Sequence, residues 1–153
     1  MSDGGRDEAT GGVLAEVVRA AEPSLRAHAD RRRAREQGTY EPAFGDDRDR
    51  AFVAEAVLEG WRMHYDTPRV FLRTDEDLRL LGGDALYAVG LARLAELGDL
   101  EGVAELADLI SLCARVAAEG RSELASELWA ATVARLAGRT SAGAQSAFEG
   151  ATG

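Results

Sequence analysis

At 153 residues and 46% hydrophobic content, the chain is sized for one domain with a substantial core and is too short for two ordinary ones. A net charge of -9 and an isoelectric point near 4.7 exclude general binding to nucleic acid or anionic membrane surfaces, because a phosphate-coated partner is repelled overall.

Residues 1–12, MSDGGRDEATGG, are polar and Gly-rich, unlike a signal peptide, and predict a disordered N-terminus. Val13, Leu14, Val17, Val18 and Ala21 then share one stripe, which predicts a short amphipathic helix. Pro23 suits the first turn of a second, very polar helix running to about Gln37, where Gly38 ends it. Inside that helix the basic run Arg31-Arg32-Arg33-Ala34-Arg35 lies beside Asp30 and Glu36 and reads as a solvated face. The link from Gly38 to Asp47, with Pro42 and Gly45, reads as a loop.

A helix from Arg48 to about Met63 is predicted to bury Phe52, Val53, Ala56, Val57, Gly60 and Trp61, with Glu55, Glu59 and Arg62 on its other face. Residues 64–74, HYDTPRVFLRT, break the pattern at Pro68. Thr74 with Asp77 resembles a capping box for the next helix, which runs to about Leu97 and stops at Gly98. That helix contains LRLLGGDALYAVGLARL at 78–94, apolar on nearly every side yet carrying three glycines and an aspartate. Each helical Gly costs about 1 kcal/mol against Ala, and a buried carboxylate needs a partner. Gly82 and Gly83 therefore predict close approach of a neighbouring helix, with Asp84 hydrogen-bonded at that contact.

Asp99 is placed to cap a helix to about Glu119, with Val103, Leu106, Ala107, Ile110, Cys113 and Ala117 facing inward and Glu101, Glu105, Asp108 and Arg115 opposite. A last helix begins at Ser122, with Leu124, Leu128 and Ala131 as its stripe. The tight turns at Gly98 and Gly120 imply antiparallel neighbours, so the expected fold is an all-α, antiparallel helical bundle. Its expected layout is a single helical domain over 13–138, with an N-terminal helical arm at 13–45 and a core at 48–137, then a flexible tail at 139–153.

The chemistry open to the chain is narrow. All eighteen basic residues are Arg, so Schiff-base catalysis is absent. Cys113 is the one cysteine, which excludes a disulfide framework, fits a reducing compartment and reads as a buried small hydrophobe. His28 and His64 have no second ligand at metal spacing, so no metal site is predicted from them. Asp46 to Asp49, DDRD, is best placed to cap a helix N-terminus. Glu55 and Glu59, at i and i+4, could share a divalent ion or form a solvent face in which Glu59 pairs with Arg62. No apolar run reaches membrane-spanning length, and the expected location is cytoplasmic.

The segment LLGGDALYAVGLARLAELG, with AAEG at 117–120, resembles the L-A-G-D helix of the trans-isoprenyl diphosphate synthases and the E-G that ends their next helix. Counting back without a gap from Gly83-Asp84, the family's D-D-x-x-D motif falls on Glu55, Ala56 and Glu59, its paired arginines on His64 and Tyr65, and its motif proline on Pro68. The resemblance covers about residues 50–137 and implies a truncated isoprenoid-synthase-like bundle. It is closest in kind to the small, non-catalytic component of two-component heptaprenyl diphosphate synthases. Its departures imply a degraded metal and diphosphate site at Glu55, Glu59, His64 and Tyr65, with no second aspartate-rich motif and no lysine for a homoallylic diphosphate. The expected role is then an auxiliary subunit, without catalytic residues or cofactor of its own, that packs on a catalytic prenyl synthase in isoprenoid biosynthesis. The alternative is a helical homodimer acting as an interaction or scaffold module. A reduced enzyme holding Mg2+ on Glu55 and Glu59 is the third reading.

Overall fold

The computed structural model describes residues 11–153. The first ten residues of the predicted disordered N-terminus lie outside the described residues. Seven α-helices are present among the described residues: α1 Val13–Ala20, α2 Pro23–Arg26, α3 Arg48–Tyr65, α4 Glu76–Glu96, α5 Leu100–Ala118, α6 Ala125–Leu136 and α7 Ala144–Thr152. No β-strand is found among them beyond one isolated antiparallel bridge, so the all-α class holds.

Two compact units divide the chain after Gly90, where a single domain was expected. In the first unit α3 is the central element. Every residue from Ala51 to Gly60 is buried, because α1 and the turn at Glu41–Phe44 both pack against α3. Val13, Leu14 and Val17 supply the α1 side of this core, and Leu25 and Phe44 add to it. The predicted stripe on α3 is thus buried except for Trp61, which is partly exposed.

The polar helix expected over Pro23–Gln37 does not form. It shortens to α2, followed by turns and a 3-10 turn at Arg33–Arg35. Without an apolar stripe the segment gains little by staying helical, and Asp30 instead accepts from the amides of Arg32 and Arg33 at 3.0 and 3.1 Å. Its backbone also pairs with the segment after Pro68: the Asp30 amide donates to the Val70 carbonyl at 2.8 Å and the Leu72 amide to the His28 carbonyl at 3.0 Å. The predicted loop at 38–47 is likewise partly ordered, with a 3-10 turn at Glu41–Phe44 that buries Phe44.

The cap of α4 is Asp75, whose side chain accepts from the Leu78 amide at 2.8 Å, in place of the Thr74 box. Asp47 and Asp99 cap α3 and α5 in the same way.

The second unit begins at Leu91 and builds its core from α5, α6 and α7. Gly98 and Gly120 both adopt the left-handed backbone region, at φ 74° and 70°, and so close the two predicted turns. The buried side of α5 is Leu106, Leu109, Leu112, Cys113 and Val116 together with Glu105. That face is rotated from the expected one: Ala107 is exposed, and Val103, Ile110 and Ala117 are partly exposed. The tail expected to be flexible over 139–153 instead carries α7, with Ala144 and Phe148 buried.

Candidate functional site

The residues singled out from the sequence at 55–84 all fall in the first unit, on α3, on the segment after it and on α4. Glu55 and Glu59 lie one turn apart on α3, but neither is on a solvent face: each is 2% exposed. Because α3 is covered on nearly every side, carboxylates on it must find donors inside the protein. They find backbone amides. Glu55 accepts from the Thr39 amide at 3.0 Å and the Tyr40 amide at 2.6 Å. Glu59 accepts from Arg69 at 2.9 Å through one oxygen, and from Val70 at 2.7 Å and Phe71 at 3.0 Å through the other. Each glutamate therefore staples an irregular segment to the central helix. The proposed Glu59–Arg62 pair is replaced by these bonds.

Burial pushes the Glu55 carboxyl above its ordinary range, while the Tyr40 and Thr39 amides and the Arg62 and Arg69 guanidinium groups pull it back down. A divalent ion shared by Glu55 and Glu59 would have to displace five amide donors. Among the described residues, no group of three or more His, Cys, Asp or Glu side chains is arranged to hold a metal ion.

The glycines explain how α3 and α4 meet. A Cβ on Gly60 would stand 2.8 Å from the Gly83 carbonyl oxygen, and one on Gly83 would stand 2.7 Å from His64 Nε2 and 3.0 Å from the Gly60 carbonyl oxygen. Two helix backbones in direct contact leave no room for a side chain there. Gly82 fills a similar role against Met63 and Leu25. Asp84 has the expected partner but not the expected burial. Its carboxylate lies 2.9 Å from His64 Nε2, with 74% of its side chain exposed against 13% for the imidazole.

His64 and Tyr65, the positions that the resemblance aligns with the diphosphate arginines, belong to an aromatic cluster. The His64 ring centroid is 5.7 Å from that of Tyr65 and 5.2 Å from that of Tyr87, and Tyr65 lies 6.2 Å from Trp61. Beside them opens a cleft of about 620 Å3 lined by Met63, His64, Thr67, Thr74, Arg79 and Leu80 among others. Arg79 closes the end of α3, donating to the carbonyls of Met63 at 3.0 Å, Arg62 at 3.3 Å and Asp66.

Two constellations escaped the sequence reading. Arg62 and Arg69 converge on the Thr39 hydroxyl, each at 3.2 Å, although the three residues are 23 and 30 positions apart. Glu105, placed from its spacing on the outer face of α5, is 3% exposed; it accepts from the Thr132 hydroxyl at 2.6 Å and the Ala144 amide at 2.9 Å, with Arg135 at 3.5 Å. The one available signal was repetition: Glu105, like Glu55 and Glu59, sits amid apolar residues of a long helix. Cys113 is buried as expected, and burial pushes its thiol up to about 12, far from a nucleophile's range. No protein-family model, curated protein or solved structure matches the chain.

Proposed function

We propose that the protein is a non-catalytic helical subunit that packs on a catalytic prenyl diphosphate synthase. The observation that carries the reading is the occupation of Glu55 and Glu59 by loop amides. A synthase needs carboxylates free to hold magnesium against a diphosphate. Here the residues in register with those carboxylates hold the chain itself together, which removes support from the reduced magnesium enzyme.

The packing part of the proposal rests on α4. Leu80 is 49% exposed and Leu81 is 70% exposed, directly before Gly82-Gly83-Asp84 in the segment that carries the family resemblance. Tyr65, 44% exposed, lines the same cleft as Leu80, and exposed large apolar side chains of this kind are what partner subunits cover. No helix among the described residues is long and apolar enough to cross a membrane, so these leucines are not part of a membrane-spanning helix.

The test is to mix the protein with a catalytic prenyl synthase from the same cell that retains an intact D-D-x-x-D motif. Co-elution is expected, together with a changed product length or rate, and Leu81→Asp should abolish both. Separate elution with unchanged product would sink the synthase-subunit reading. Should the chain elute alone as a dimer that Leu81→Asp converts to a monomer, the same surface serves self-association, and the scaffold-module reading takes its place.

A further inference from the structure

We infer that Arg62, Arg69 and Thr39 form a binding site for a phosphate-class oxyanion. Arg62 Nη2 and Arg69 Nη1 both donate to the Thr39 hydroxyl oxygen at 3.2 Å. Two cationic forks thus share one neutral acceptor. Among the described residues, that bond is the one hydrogen bond the Arg62 guanidinium makes, so four of its five N–H donors have no protein acceptor, and no carboxylate lies within ion-pair distance of it. Arg69 also donates to the Gln37 carbonyl at 2.7 Å, and its guanidinium lies 3.8 Å from the Glu36 carboxylate.

The basic run that the sequence presents at 31–35 contributes here as well. Arg33 Nη1 reaches the Arg69 carbonyl at 3.4 Å, bringing a third guanidinium to the same edge. Against these three cations stand Glu36, 3.8 Å from Arg69, and the buried Glu55 and Glu59. The Glu55 oxygens accept from the Thr39 and Tyr40 amides, and Arg62 and Arg69 act on its carboxyl through space. The Arg62 donors left without a protein acceptor are open to an anion beside Thr39, which is exposed.

The site is also held in place. The Thr39 amide is fixed by Glu55 at 3.0 Å and the Arg69 amide by Glu59 at 2.9 Å, so both buried glutamates anchor residues of the site by their backbones. A tetrahedral oxyanion can accept from both guanidinium groups and from the Thr39 hydroxyl at once, which a single neutral oxygen cannot do. This assignment stands independently of the synthase partner.

Titration of the full chain with inorganic phosphate and with phenyl phosphate, read by calorimetry and by the amide NMR shifts of Thr39 and Tyr40, tests it. Saturable binding with a Kd of about 1 mM or tighter is expected. Arg62→Gln and Arg69→Gln should each weaken it at least about tenfold, the loss of one charge-assisted bond. Arg121→Gln, on the second unit beside Glu119, should leave it unchanged. Tighter binding of phenyl phosphate identifies a phosphomonoester as the ligand, and equal binding identifies free phosphate. Since Arg69→Gln also removes the bond to Gln37, Arg62→Gln and the exposed Thr39→Val, checked for unchanged melting, decide the matter if Arg69→Gln fails to fold. Absence of saturable binding in the wild type overturns the inference. So does wild-type affinity in folded Arg62→Gln and Thr39→Val, or an equal loss in Arg121→Gln.

Discussion

A carboxylate buried among apolar residues is costly until its lone pairs are filled, and Glu55 and Glu59 are filled by amides that no helix or strand claims. Glu59→Ala removes three acceptor bonds at once and strands three amides, so a loss of about 3 kcal/mol in urea unfolding is expected. Glu55 adds a pH signature. Its folded pKa is raised above the ordinary 4.5, chiefly by burial, so the folded state binds this proton more tightly than the unfolded chain does. The stability contributed by protonated Glu55 is complete below pH 4.5 and is lost as pH rises through the folded pKa. The stability difference between wild type and Glu55→Gln should therefore shrink from pH 4.5 toward neutrality in parallel urea titrations, and a flat difference would contradict the burial argument. None of this was legible from an i, i+4 spacing, which is the same for a metal pair, a solvent face and a pair of loop staples. The donors come from 39–40 and 69–71, and chain folding alone brings them there.

Glycine positions show the same division at the level of the helix. Substituting Ala for Gly in a helix normally stabilises by about 1 kcal/mol. At Gly83 the new methyl would meet His64 Nε2 and the Gly60 carbonyl, so Gly83→Ala is expected to cost about 1 to 3 kcal/mol in thermal unfolding. At Gly150 on α7 nothing lies within 4 Å, and Gly150→Ala should raise the melting temperature. The pair of opposite signs checks that close approach, rather than helix propensity, governs Gly83. The close approach was readable from Gly82-Gly83 in a helix of otherwise good formers. The face of α5 was not, because apolar residues cover more than half of its circumference and two stripes compete. The buried stripe takes Leu106, Leu109 and Leu112, and it removes more apolar area from water than a stripe containing Ala107 and Ala117. Glu105 goes in with it because Thr132 and Ala144 supply its donors.

For the molecule as a whole, the consequential departure is the C-terminal segment. Gly/Ser/Ala composition predicts a flexible tail, yet α7 places Phe148 and Ala144 in the core of the second unit, and Arg115 stacks on the Phe148 ring at 4.8 Å. A chain shortened to Ser141 loses that burial and one Glu105 bond together. Its second unit should be destabilised by at least about 3 kcal/mol, seen as an early transition in circular-dichroism melting. Phe148→Ala should reproduce most of the loss, and unchanged melting in both variants would show that α7 contributes nothing to the core.

Sequence by itself determined the all-α class, the ends of α3, α4 and α5 to within a few residues, the two glycine turns and the burial of Cys113, because period, caps and left-handed turns are local properties. It also determined that no lysine chemistry is open to the chain. Tertiary structure decided which way α5 faces, that the polar segment after Pro23 pairs with the segment after Pro68, that the tail folds back as α7, and that three glutamates lie inside. Each of these depends on a donor or an apolar surface distant in the chain, and a carboxylate's role is set by what reaches it.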